Sequence, residues 1–274
     1  MTMEHPAKTL KRLEQRARKR FGQNFLVSER ALDRIIRLAK IDESSKVVEI
    51  GPGLGALSKK IAETKCTAVA VEVDRDLAQF LRVEIPTLTV FEADATNVDW
   101  DEVCPGDGWT VVANLPYNVA TPIVTKLITL HPKVHRCVLM FQQEVAHRLI
   151  ARPGTKAFGS LSVWVQAHSK VSWGFKLPPG AFYPAPKVHS AVVMFEPYAE
   201  PKVGGVDSKW FERVVKGGFS QRRKMLENAL SSQFDKDLVR KATGLTVGEK
   251  RRAEELDIED WACLAATLRD LGAE

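Results

Sequence analysis

The chain has 274 residues, 45% of them apolar, which is enough for a large hydrophobic core and too many for a disordered or fibrous protein. Its four cysteines, Cys66, Cys104, Cys137 and Cys263, form no CxxC pair, so neither a zinc ribbon nor a disulfide scaffold is expected and a reducing cytoplasm fits. The formal charge of +6 is uneven: residues 1–48 hold 12 Lys/Arg and 6 Asp/Glu, residues 49–114 hold 5 and 12, residues 115–195 hold 9 and 1, and residues 196–274 hold 14 and 15.

Two basic segments around an acidic one suit a polyanionic partner, with ordinary solubility charge as the competing explanation. Residues 8–20 carry seven Lys/Arg and read as a basic helix or a mobile extension. The N-terminus has no apolar signal-like stretch and no run approaches 18 apolar residues, so no membrane span is expected. Ser28 reads as the N-cap of a helix with Leu32, Ile35, Ile36 and Ala39 on its apolar side.

An alternating pattern follows. Strands are expected at 47–50, 67–73, 88–91, 110–113 and 136–141, and helices around 57–62, 77–81 and 144–150. A further helix is expected with Thr121 as its cap and Pro122 at its first position. Continuous apolar runs of this kind are buried parallel strands, and right-handed crossovers between them give an open doubly wound sheet. Residues 160–167 and 188–195 both show alternation, and the second reads as a late strand closing the sheet, with antiparallel pairing as one option. The Pro-, Gly- and aromatic-rich stretch 174–187 between them reads as loop.

Residues 197–206 read as a linker. Beyond it the pattern is helical: Asp207 as a cap, a helix over Phe219–Leu230, capping-box spacing at Thr246/Glu249 and Asp257/Asp260, and a stripe of Trp261, Leu264, Ala265 and Leu268. The organisation expected is therefore a basic extension at 1–20, an α/β domain at 21–196, a linker at 197–206 and a small all-helical domain at 207–274.

Residues 49–55 read EIGPGLG between a strand and a helix. Glycines at 51, 53 and 55 allow a tight turn and close approach of a ligand, although a turn without a ligand has the same look. Glu72 follows Gly51 by 21 residues at a strand end, where a carboxylate accepts from ribose hydroxyls; a NAD enzyme shares that feature. The third glycine, however, falls one position earlier than in the dinucleotide fingerprint. Asp94 ends the next strand and is either an acceptor for an adenine amino group or a turn cap. A nucleoside without a pyrophosphate fits this set, and the acidic bias of residues 49–114 fits a sulfonium: S-adenosyl-L-methionine is the expected cofactor.

Residues 114–117, NLPY, follow the fourth long strand, at the carboxyl edge where open sheets bind ligands. The adenine amino nitrogen is a poor nucleophile because its lone pair is delocalised into the ring. The Asn114 side-chain oxygen and the Leu115 carbonyl are suited to accept from that NH₂, Pro116 stiffens the turn, and Tyr117 is placed to stack on a flipped base. An ordinary turn with Tyr117 in the core is the alternative. No metal is needed, and no cysteine nucleophile is evident. Phe182 and Tyr183, held between prolines, are either the other wall of the base pocket or a loop packed on the sheet. Arg222, Arg223 and Lys224, read as opening a helix, are either RNA-phosphate contacts or a solvated face.

With GQNFL at 22–26, EIGPGLG at 49–55, VEVD at 71–74, NLPY at 114–117, FQQEVAHRL at 141–149, FYPAPKVHSAVV at 182–193 and FSQRRKMLENAL at 219–230, the chain closely resembles the bacterial 16S ribosomal RNA adenine dimethyltransferases. The resemblance implies an α/β, Rossmann-like class I S-adenosylmethionine-dependent methyltransferase sheet with a small helical C-terminal domain. It implies dimethylation of two adjacent adenosines near the 3′ end of 16S rRNA, within the small ribosomal subunit or its precursor, by a cytoplasmic monomer. Carried onto this chain, it makes Asn24, Leu26, Gly51, Glu72, Asp94 and Asn114 cofactor neighbours, with Gly53 in the same loop, and Tyr117 and Phe182 the aromatic partners. A 23S rRNA methyltransferase of the resistance type, an RNA-binding assembly factor independent of methylation, and a DNA adenine methyltransferase are the rival readings.

Overall fold

The computed structural model describes residues 5–13, 23–115, 119–248 and 250–273. The elements in chain order are α1 (Pro6–Arg12), β1 (Phe25–Leu26), α2 (Glu29–Ala39), β2 (Lys46–Ile50), α3 (Ala56–Glu63), β3 (Thr67–Glu72), α4 (Arg75–Glu84), β4 (Thr89–Glu92), α5 (Trp100–Val103), β5 (Trp109–Asn114), α6 (Ala120–Leu127), β6 (Val134–Gln142), α7 (Gln143–Leu149), α8 (Ser160–His168), β7 (Ser169–Leu177), β8 (Phe182–Tyr183), β9 (Ser190–Pro197), α9 (Ser208–Phe219), α10 (Leu226–Leu230), α11 (Lys236–Thr246) and α12 (Ile258–Asp270).

The expected α/β architecture is present. A seven-stranded sheet runs in the order β4-β3-β2-β5-β6-β9-β7, and its first five strands pair in parallel. The sheet starts at β2 and is wound outward both ways, so the strand order reverses beside β2. That reversal opens a crevice at the carboxyl ends of β2, β3 and β5, the standard ligand position in open sheets. Both faces are covered, which is why β2, β5 and β6 read as unbroken apolar runs: Val47, Val48, Val111, Val112, Cys137 and Leu139 have no exposed surface. Ser28 caps α2 as expected, accepting from the Ala31 amide at 3.3 Å.

Several elements differ from the sequence reading. Residues 160–167 are helical: Leu161, Ser162, Val163, Val165, Ala167 and His168 of α8 are all buried. A helix buried on most sides need not show a one-faced apolar period, so its alternation carries no strand information. The strand β7 covers 169–177 at the sheet edge, and its second half reads as loop because Gly174 and the prolines that follow mask the strand pattern. The late strand β9 does pair antiparallel with β6, but lies inside the sheet rather than closing it. Helix α6 starts at Ala120 with Val119 as its N-cap, so Thr121 and Pro122 sit within its first turn. The single helix expected at 219–230 is two helices joined by a turn over 220–225, and Thr246 ends a helix, its hydroxyl donating to the Ala242 carbonyl, while Glu249 lies outside the described residues.

By contact pattern the chain divides into one unit of 1–146 and 172–197 and a second of 147–171 and 198–274. The sequence boundaries of 21–196 and 207–274 differ from this division, since α8 and its approaches count with the helical unit. The helical unit has its own core, in which Trp261, Leu264, Ala265 and Leu268 of α12 have no exposed surface. Asp207 caps α9 and Asp257 caps α12 through the expected capping box. The stretch 197–206 is no free linker: Val203 and Val206 are buried in that core. Gly204 has φ +72° and lies so close to α12 that a Cβ there would overlap the Ala262 carbonyl, whereas Gly205 has φ +71° and open space around it. Gly204→Ala is expected to destabilise the chain by about 3 kcal/mol, and Gly205→Ala by only the backbone strain of about 1 kcal/mol, in urea unfolding.

Candidate active site

The crevice is a cavity of about 580 Å³ lined by residues from the ends of β2, β3, β4 and β5, from β1, and from α1. Its floor is the turn after β2. Gly51, Gly53 and Gly55 have φ of +65°, +58° and +76°, a region that side chains disfavour. At Gly53 there is a second constraint, because a Cβ would stand 3.0 Å from two atoms of the Phe25 ring. Glycine is therefore required here by conformation and by close approach together.

Glu72, at the end of β3, is 4% exposed. Its Oε2 accepts from the Gly53 amide at 3.1 Å and its Oε1 from the Asp74 amide at 2.9 Å. One carboxylate thus fastens the glycine turn to the neighbouring strand. Burial pushes its pKa up, against the pull of the Asp74 and Gly53 amides. Asp74 caps α4 and also receives Gln23 Nε2 at 3.2 Å, bringing the segment before β1 over the turn.

Glu49 opens the glycine motif, where its position in the sequence points to no role. It is buried, lines the cavity, and accepts from the Ser58 hydroxyl of α3. Burial, with the Glu72 carboxylate nearby, pushes its pKa from 4.5 up to about 8. The available signal was a lone acid within an otherwise apolar parallel strand. With Glu49 holding its proton, the Glu72 carboxylate is the buried negative group under the cavity, and its field favours a cation. Asp94 is exposed on the rim and holds the Thr96 amide and hydroxyl, each at 2.8 Å, so the turn-cap reading is realised while the residue still faces the cavity. Glu84 is balanced by Arg12 at 3.0 Å and Lys59 at 3.7 Å.

Asn114 ends β5 beside the turn. Its Nδ2 donates to the Asn24 carbonyl at 2.9 Å, which fixes the amide with Oδ1 turned the other way, and this is its one side-chain hydrogen bond among the described residues. Asn24, Leu26, Gly51, Gly53, Glu72, Asp94, Asn114 and Leu115 all line the cavity. Pro116 and Tyr117 lie outside the described residues. Phe182 is not on the cavity: it pairs with Leu26 across β1 and β8, and its side chain is 4% exposed in the core under α2. Phe182 is thus a strand residue whose ring packs into that core. Tyr183 packs on Phe25 and Leu10, with its ring 5.1 Å from His5. In the helical unit Arg222, Arg223 and Lys224 are exposed, in the turn before α10 rather than on a helix. Arg222 is held by Glu254 at 3.1 Å and by the Lys156 carbonyl. Among the described residues no cluster of three or more His, Cys, Asp or Glu is placed to hold a metal, and no helix is long and apolar enough to cross a membrane.

The acceptors fit S-adenosylmethionine. Acid-lined space suits a sulfonium and an ammonium, Glu72 and Asp94 suit hydroxyl and amino donors, and the glycine turn leaves room where Cβ atoms would intrude. The raised Glu49 pKa has a consequence for stability. The folded chain holds a proton at Glu49 that the unfolded chain loses above about pH 4.5, so stability falls as pH rises from there towards 8. Glu49→Gln in ligand-free protein is expected to flatten that decline and to raise the melting temperature at alkaline pH, as thermal melts across the range will measure.

A family model described as ribosomal RNA adenine dimethylase matches residues 14–270. The chain is 40% identical over 261 residues to the ribosomal RNA small subunit methyltransferase A of Syntrophotalea carbinolica, covering 94% of this chain and 98% of that one. It is 42% identical over 254 residues to the protein of the same name from Magnetococcus marinus, covering 91% of each. Among solved structures, a dimethyladenosine transferase from Plasmodium falciparum matches with a TM-score of 0.79 at 24% identity, over 91% of this chain and 98% of that one. The 23S rRNA methyltransferase ErmE matches with a TM-score of 0.68 at 24% identity, over 90% and 100%. The structural likenesses establish the class I methyltransferase fold. The sequence match runs through the glycine turn, Glu72 and Asn114 that build the cavity and continues nearly to the end of the chain, which belongs to the ribosomal RNA adenine dimethylase family.

Proposed function

We propose that this chain uses S-adenosyl-L-methionine to dimethylate the N6 nitrogens of two adjacent adenosines near the 3′ end of 16S rRNA during small-subunit maturation. The observation that carries the reading is the fixed Asn114 amide at the edge of an acid-lined nucleoside cavity. The cofactor, when bound, supplies an electrophilic methyl group on sulfur. Glu72 and Asp94 would hold its ribose and adenine ends, with Asn24, Leu26, Gly51 and Gly53 forming the surrounding wall.

The protein's part is positioning. With Nδ2 occupied by Asn24, Asn114 offers Oδ1 as an acceptor, and the Leu115 carbonyl follows directly in the chain. Two acceptors take the two N–H groups of the target amine and draw its lone pair out of ring conjugation, towards the methyl donor. After the first methylation one N–H remains, so a single acceptor suffices to align the second. Pro116 and Tyr117 complete the motif, with Tyr117 assigned to stacking on the base. Phe182, buried as it stands, would have to turn outward to share that role. Arg222, Arg223 and Lys224 are assigned to RNA phosphates, and no metal enters the chemistry. The reading places the protein in the cytoplasm as a monomer acting on the small subunit or its precursor.

Incubation with labelled cofactor and small subunits lacking the modification, followed by nucleoside analysis and mapping, tests this. Dimethyladenosine near the 3′ end of 16S rRNA is the expected product; label confined to 23S rRNA or DNA would contradict it. Asn114→Ala is expected to lower the transfer rate by about 100-fold or more, the range seen when one preorganised polar group at a reacting centre is removed. Turnover near that of the unaltered chain would remove the proposed role of Asn114.

A further inference from the structure

The charges on α2 separate by side. Glu29 and Asp33, one turn apart, both reach Lys60 of α3 at 3.2 Å. Arg30, Arg34 and Arg37 recur at i, i+4 and i+7 and form a different stripe, with no acidic partner among the described residues. Like charges at that spacing repel one another, and an anion bound against the stripe would relieve the repulsion.

The first turns of that stripe border a groove of about 410 Å³ between α2, the end of β7 and the loop after it. Its charged lining is Arg30, Arg34 and Lys176, with no acid. Arg30 and Lys176 are exposed. The Arg34 guanidinium carbon lies 3.9 Å from the centroid of the buried Phe175 ring. Stacking of this kind holds a planar fork in place before any ligand arrives, which reduces the entropy lost on binding. The groove also takes in Ser28, the N-cap of the 11-residue α2, so the positive end of the helix adds to the field.

The groove and the cofactor cavity share a wall. Val27 and Glu29 line the cavity, while Ser28 and Arg30 line the groove, and the Val27 amide donates to the Ala181 carbonyl at 2.8 Å to fix that wall. We propose that the groove binds the phosphodiester backbone of the substrate RNA beside the target nucleotide, with Arg30, Arg34 and Lys176 on successive phosphates. The inference rests on the reading of RNA as the substrate. Three cations around one groove match the repeated single charges of a nucleic-acid strand, and the shared wall sets that strand alongside the reacting base.

The test compares the full chain with Arg30→Gln/Lys176→Gln, two substitutions at exposed positions, and with the charge-reversed Arg30→Glu/Lys176→Glu. Affinity for an RNA covering the 3′-terminal segment of 16S rRNA is measured between about 50 and 200 mM salt, where each phosphate contact contributes about 0.7–0.9 to the log–log slope. The neutral variant is expected to be shallower by about 1.5 in slope and roughly tenfold weaker at low salt, and the reversed variant weaker still. The maximal rate at saturating RNA and the affinity for S-adenosylhomocysteine are expected to stay unchanged. Unaltered slope and affinity in folded variants overturn the groove assignment. Loss of binding to poly-glutamate, with RNA binding intact, assigns the groove to an acidic protein and also overturns it. Failure of the unaltered chain to bind or methylate the RNA overturns the reading of the substrate instead.

Discussion

The site depends on a buried carboxylate at a strand end. Glu72 accepts from the amides of Gly53 and Asp74, and so ties the turn after β2 to the end of β3. Without that tie, three glycines in the left-handed region would have many conformations available, and the entropy of ordering them would fall on the ligand. With it, the turn stands ready, and the space left by the missing Cβ atoms becomes a cavity. Burial, with this carboxylate nearby, raises the proton affinity of Glu49, so the floor of the cavity keeps a proton that an exposed acid would lose. A positively charged ligand complements the Glu72 carboxylate and a polyphosphate would be repelled by it.

The second constraint is the direction of Asn114. An amide at a strand end can present either of its faces, and only one of them accepts. The carbonyl of Asn24 occupies Nδ2, which makes the segment before β1 part of the site although it lies 90 residues away in sequence. That segment is held by Gln23 on Asp74 and by the pairing of β1 with β8. The wall of the cavity is therefore a set of mutual constraints, in which Asn24 orients Asn114.

Much of this was legible in the residues. The apolar runs of β2, β5 and β6 identify buried parallel strands, and the glycines with Glu72 identify a nucleoside turn, because those features come from local chemistry at fixed spacing. The parts that were not legible have physical causes. Helix α8 is buried on nearly all sides, so its pattern has no face to report. Strand β7 lies at the sheet edge with exposed lysine and tryptophan, so its pattern resembles loop. Phe182 turns inward because two residues of pairing with β1 set its direction, and no local signal carries a pairing across more than 150 residues. Asn24 and Leu26 carry no local signal and enter only through the family resemblance, since a backbone carbonyl that orients another side chain, as at Asn24, leaves no mark in the residue type.

The central claim is that Glu72 both builds the turn and holds the cofactor. Calorimetric titration of S-adenosylhomocysteine into the unaltered chain and Glu72→Ala, with melting measured on the same samples, addresses it directly. Loss of charge-assisted hydrogen bonds, at about 1.5–3 kcal/mol each, predicts binding at least about 10-fold weaker in a variant that still melts cooperatively. Unchanged affinity in a folded Glu72→Ala would contradict the account.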